Sequence, residues 1–174
     1  MGNLPTHPMI VHFPIVLSIL LPIFAIGTLW AIRRSKQARV WALPAVLAVA
    51  LAGSAFAALR TGENEEERVE NVVPEAVLHQ HEEAAERFLV LAAILAGVAL
   101  AGMLGGVVGS AARLVATAGS LVLVFAGFQV GKAGGELVYE HNAGAAYVQA
   151  SGTAGASAEN DNGRMNNDED SDAR

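Results

Sequence analysis

The residues with the most chemical potential in this chain are five histidines: His7, His12, His79, His81 and His141. Neutral imidazole is the commonest metal ligand and an axial ligand of haem iron. The chain has no cysteine. That excludes disulfides, iron–sulfur clusters, thiolate metal sites and covalent c-type haem attachment. Any metal chemistry must use His, Asp, Glu or Met, and haem b held by two histidines, or a copper or zinc ion, is the occupant this donor set suits. No HxxxH or HExxH spacing is present, so a site has to be assembled from separate segments. The alternative is that these rings are interfacial polar groups with no cofactor, since a half-polar ring is comfortable at a membrane surface.

Helical phase separates His79 from His81. From His81, steps of three or four reach Ala84, Ala85, Phe88, Ala92 and Leu95, an apolar stripe. From His79 the same steps reach Glu82, Glu83 and Glu86, a charged face. His81 is therefore expected to face inward, standing roughly 10 Å above Phe88 at 1.5 Å per residue. His12 is expected one turn inside the first helix, with His7 acting at the helix start. His141 ends the outer extension of the last helix. The expected site joins His12, His81 and His141, with His7 as a fourth ligand. Glu136 and Glu140 flank His141 and are expected to orient it through hydrogen bonds.

The elements that must position these rings are membrane spans. The chain has 174 residues, of which 53% are hydrophobic and only 16% charged, against about a quarter charged in soluble domains. Uncharged blocks run over residues 9–32, 40–59, 88–112 and 114–139, the last interrupted at Lys132 and Glu136. Each is about 18 residues or longer, enough to cross a hydrocarbon core as a helix. Alternating patterning is absent, which leaves a helix bundle as the spanning structure. The first block has no basic residue before it and is read as a span rather than a signal peptide. The expected fold is an all-α membrane protein, a four-transmembrane-helix antiparallel bundle over residues 1–148. Residues 149–174, rich in small and acidic groups, are expected to form a disordered acidic tail.

Charge sets the expected orientation. Arg33, Arg34, Lys36 and Arg39 lie between the first two spans and Arg113 between the last two, with no acid in either loop. All 17 carboxylates fall on the other side. Basic loops stay cytoplasmic, so both termini and all the histidines are expected on the outer, periplasmic side of a bacterial inner (plasma) membrane. Gly102/Gly106 and Gly105/Gly109 have small-xxx-small spacing, and Gly127, Gly131 and Gly135 continue it. Such faces let helices approach closely, within the bundle or in a homodimer. The net charge of −6 gives no support for nucleic-acid binding.

Two runs have a family likeness. His7-Pro8-Met9-Ile10-Val11-His12-Phe13-Pro14-Ile15 opens the chain, and Gly134-Gly135-Glu136-Leu137-Val138-Tyr139-Glu140-His141 closes the last span. With Thr61-Gly62-Glu63 and His81-Glu82-Glu83 between them, the chain resembles bacterial membrane proteins carrying the domain of unknown function 2231, from about Leu4 to Val148. The resemblance implies histidines at the places held here by His7, His12, His81 and His141. Relatives joined to Rieske or c-type cytochrome modules imply electron transfer. This chain departs in having no cysteine and no redox module, and in having Asn142 where the family has glycine, a change suited to a left-handed helix end.

The expected function is a redox membrane subunit passing electrons to or from a periplasmic redox protein or a membrane quinone. The alternative is a cofactor-free structural or assembly subunit of a membrane complex. A stand-alone catalyst is disfavoured because no nucleophile elbow is present. A channel or transporter is disfavoured because spans one to three hold no ionisable group at mid-membrane depth.

Overall fold

The computed structural model describes residues 6–70 and 72–145. The chain runs α1 (His7–Ile10), α2 (His12–Ser35), a 3-10 turn (Ala38–Trp41), α3 (Ala42–Glu63), α4 (Glu66–Val69), α5 (Glu75–Ala101) and α6 (Gly106–Tyr139). Four helical stretches are long and apolar enough to cross a membrane: His7–Ser35, Ala38–Glu63, Glu75–Ala101 and Gly106–Tyr139. The expected four-helix spanning architecture is what the chain adopts. Each long helix packs on two others, so α2, α3, α5 and α6 form a ring in chain order.

The core is built largely from alanine: Ala25, Ala45, Ala48, Ala55, Ala92, Ala96, Ala99 and Ala116, with Leu21, Leu51, Leu95, Leu123, Phe88 and Trp41 as its large members. Small side chains let the backbones approach where lipid offers no hydrophobic drive for helix association. The large apolar groups are mostly outside. Phe13, Ile19, Ile23, Val46, Ile94, Val122, Phe125 and Phe128 are exposed on the bundle surface, the outward display a hydrocarbon solvent permits. Pro14 and Pro22 are buried in α2. Pro14 has no N–H to give the Ile10 carbonyl, and the helix assignment breaks at Val11, between α1 and α2.

The boundaries of the third and fourth spans differ from expectation. The chain turns at residues 102–105, not at Arg113, which lies two turns inside α6. Arg113 is 6% exposed. Its Nε donates to the Gly102 carbonyl at 2.7 Å and its Nη2 to the Leu104 carbonyl at 3.2 Å. The cation thus serves the C-cap carbonyl of α5, where positive charge is favoured, and a carbonyl of the turn that follows. The stretch Gly102-Met103-Leu104-Gly105 is apolar, so no polar dip marked the turn.

Gly102, Gly105 and Gly106 belong to that turn rather than to a helix-crossing face, and Gly106 has φ +69°. Gly109 backs onto the Leu104 carbonyl. The close helix contacts lie further along α6. A methyl on Gly119 would lie 2.9 Å from Leu95 Cδ1, and one on Gly127 would lie 3.2 Å from Phe88 Cε2. Gly131 and Gly135 face open space. The expected acidic tail lies outside the described residues.

Candidate functional site: a buried imidazole pair

At the end of the bundle opposite Arg113, α5 and α6 extend beyond what a bilayer requires. α6 has 34 residues, about 50 Å at 1.5 Å per residue, against a hydrocarbon thickness of about 30 Å. Exposed Arg60, Arg87 and Lys132 mark the level at which the helices leave hydrocarbon. Beyond that level a second apolar knot of Val73, Leu78, Leu137 and Ala143 pins the 64–74 connection against α6.

Two imidazoles meet here. The rings of His7 and His81 have centroids 6.3 Å apart and planes at 85°. His7 comes from α1. Its Nδ1 lies 2.8 Å from the Ala58 carbonyl and 3.3 Å from Thr61 Oγ1, both on α3. A carbonyl only accepts, so Nδ1 carries the proton and donates, and Nε2 of the neutral ring is a bare lone pair. The Glu65 carboxylate fixes the start of α1. Its Oε1 accepts from Thr6 N at 2.6 Å, Thr6 Oγ1 at 3.0 Å and His7 N at 3.2 Å.

His81 comes from α5. Its Nδ1 is buried and has no hydrogen-bond partner among the described residues, a rare and costly state for a polar atom. The Val130 carbonyl of α6 adjoins the ring.

Each ring is seated on a glycine of a neighbouring helix. A methyl on Gly62 (α3) would lie 3.2 Å from His7 Cε1, and a methyl on Gly134 (α6) would lie 3.2 Å from His81 Cε1. All four long helical stretches therefore contribute: α1–α2 and α5 supply imidazoles, α3 and α6 supply carbonyls and glycine seats. Gly134→Ala should leave stability nearly unchanged. The helix gains about 1 kcal/mol from losing a glycine, and a slight overpacking costs a similar amount. The His81 ring must nevertheless shift by a few tenths of an ångström, so its ring ¹⁵N resonances should move. Gly131→Ala, with open space around it, should leave them in place.

Of the four histidines expected at the site, the structure brings His7 and His81 together. Among the described residues no group of three or more His, Asp or Glu side chains could hold a metal ion. His12 is exposed on α2. The reason is phase. His7 and His12 are five residues apart, about 140° around a helix. The buried stripe of α2 is Pro14, Ser18, Leu21, Pro22 and Ala25, which continues back to His7, whereas His12 shares its face with exposed Ile15, Val16, Ile19 and Ile23.

His141 is half-buried just after α6. The helix end there is closed by His141 N donating to the Glu136 carbonyl at 3.2 Å and Ala143 N to the Leu137 carbonyl at 3.0 Å. Asn142 takes the left-handed conformation, φ +54°, as the sequence suggested. Glu136 pairs with Lys132 at 3.4 Å, and Glu140 is exposed; neither is seen to orient an imidazole. His79 is 70% exposed beside Glu82, matching the expected phase of the third span. Of the residues that hold the paired rings, Thr61 and Gly62 lay in a weak middle run and Gly134 in the run that closes the last span, and none was read as a ring contact.

The fold and the imidazole pair define a multi-pass α-helical membrane protein with two partly buried histidines packed together at one end of its bundle. The chain belongs to the DUF2231 family, described as predicted membrane proteins, whose model matches residues 3–147. No curated protein and no solved structure matches it.

Proposed function

We propose that this chain is a membrane subunit that holds a transition-metal or haem cofactor on His7 and His81 and serves one-electron transfer. The cofactor would accept an electron from a donor and return it to an acceptor, one of them a membrane quinone species or a soluble redox protein. The observation that supports this reading is the buried, unpartnered Nδ1 of His81 beside a second imidazole whose own Nδ1 proton is engaged by a backbone carbonyl. A histidine that donates one ring proton to a carbonyl and keeps the other nitrogen bare is prepared as a ligand. The acid-rich side carries the pair, and the basic loop over residues 33–39 at the other end supports assigning it to the periplasmic side of a bacterial inner membrane.

The enclosure favours a bare ion over a macrocycle. Both rings already touch the glycine backbones of α3 and α6, and a porphyrin between them would have to part the helices. Expression of the full chain, purification in detergent, elemental analysis and dithionite difference spectra test the reading. We expect a bound transition metal or a Soret band in the wild type. His7→Asn and His81→Asn should each remove it, and His79→Asn should keep it. Loss in His12→Asn or His141→Asn with retention in His7→Asn would restore the three-imidazole site of the sequence reading. A cofactor-free wild type would overturn the proposal.

A second reading has its own support. The Glu65 bonds to Thr6 and His7, with the Ala58 bond to His7, also describe a pin that closes the bundle in a cofactor-free assembly subunit. In that case His7→Asn lowers the unfolding temperature and changes no metal content.

A further inference from the structure

We infer that the His7–His81 pair is a two-coordinate site for a monovalent soft ion, copper(I), with silver(I) as its non-redox analogue. This rests on the reading of the pair as a metal site and specifies the ion.

Geometry comes first. Metal–imidazole bonds are about 2 Å long. With the ring radius added, two rings on opposite sides of one ion have centres roughly 6 Å apart, whereas ligands at a tetrahedral angle bring them to about 5 Å. The observed separation is 6.3 Å, the value for a nearly linear nitrogen–metal–nitrogen arrangement. Ligand count comes second. Among the described residues no third His, Asp or Glu completes a metal-binding group. The Glu65 carboxylate is engaged by the Thr6 and His7 backbone, and Glu82 interacts with Glu66 and His79. Zinc sites draw three or four protein ligands, copper(II) prefers four in a square, and calcium and magnesium take oxygen. A filled d shell with one positive charge is content with two nitrogens in line.

Charge comes third. Both rings are neutral ligands and the Nδ1 of His81 is dehydrated. Desolvation cost grows with the square of charge, so a monovalent ion pays roughly a quarter of what a divalent ion does in the same enclosure.

The experiment uses the full chain in detergent micelles under anaerobic conditions. Copper(I) is titrated against a chromophoric chelator, silver(I) by calorimetry, and zinc(II), cobalt(II) and haemin are run in parallel. X-ray absorption reads the coordination number. We expect one equivalent of copper(I) or silver(I), a two-nitrogen linear signature, and a loss of more than about 100-fold in affinity for either His7→Asn or His81→Asn, beyond the 10–100-fold typical of losing an outer hydrogen bond. Gly134→Ala, which keeps both rings, should weaken binding to a smaller degree and so reports on the site if a histidine variant fails to fold. Histidine-dependent binding of zinc, cobalt or haem without copper(I) would overturn this inference and leave the metal-site reading standing. Copper(I) binding that survives both histidine variants would also overturn it. Failure to bind any of the probes would remove both.

Discussion

Trp41→Ala is expected to lower the stability of the bundle by about 3–5 kcal/mol, the range for removing a fully buried aromatic side chain. Trp41 is 0% exposed although it lies in the 3-10 turn that opens the second spanning stretch, at the end of the bundle. Its Nε1 donates to the Ala99 carbonyl at 2.9 Å. The indole also packs on Gly102, where any β-carbon would strike it. One side chain therefore closes the basic end of three helices at once, α2 and α3 through its own backbone and α5 through its ring. Beside it is a small apolar void lined by Leu21, Ala25, Pro44, Ala48, Leu95 and others. Truncation would enlarge this void, and an apolar cavity stays dry. Trp41→Phe keeps most of the packing and leaves the Ala99 carbonyl with the Gly102 N–H alone, so its cost should be nearer 1 kcal/mol. Equilibrium unfolding in mixed detergent–dodecyl sulfate micelles measures both. Equal losses in the two variants would mean the hydrogen bond, not the packing, carries the effect.

The architecture was legible in the sequence because hydropathy reports the solvent directly. Uncharged blocks of span length required four helices, and Leu21, Ala25, Ala92 and Leu95 are where such helices meet. What hydropathy could not report is the fate of a charge that folds inward. Arg113 looked like a loop residue because most membrane arginines are, yet its backbone-carbonyl partners, Gly102 and Leu104, are invisible as acceptors in a one-letter sequence.

The candidate site was half legible. The phase argument that separates His81 from His79 works in the structure, because Phe88, Ala92 and Leu95 are buried below His81. The same argument applied to the first helix leads from Ala25 through Leu21, Ser18 and Pro14 to His7, and places His12 on the lipid-facing side. Depth within the apolar block, by contrast, favours His12, and depth is the weaker guide when both rings lie near the surface. The glycine seats, Gly62 and Gly134, are beyond any single-sequence argument. A glycine required for a neighbouring ring looks the same as one tolerated in a membrane helix.

Arg113→Met should cost about 3 kcal/mol, and the loss should appear as fraying of the α5–α6 turn. Hydrogen bonds to a charged donor are worth about 1.5–3 kcal/mol each, and Arg113 makes two, to the C-cap carbonyl of α5 and to the Leu104 carbonyl of the turn. Methionine replaces the stem at nearly equal volume, so packing is held roughly constant and the polar contribution is isolated. The opposing effect is the desolvation of a cation that is 6% exposed and, among the described residues, has no carboxylate partner. If that cost dominated, Arg113→Met would be neutral or stabilising, as for some buried ion pairs replaced by apolar residues. The geometry favours the first outcome. One ligand is the carbonyl at the C-cap of α5, where the dipole itself attracts a cation, the other a carbonyl of the turn, and both lose this partner when the guanidinium goes. Arg113→Lys keeps the charge without the planar fork, so its loss should be intermediate. Gly109→Ala should mimic Arg113→Met without touching the charge, because the added methyl overlaps the Leu104 carbonyl that Nη2 uses. Amide hydrogen exchange over residues 102–109 reads the fraying directly. Protection there that is unchanged in both variants would show that the turn is held by Trp41 and the glycine backbone alone.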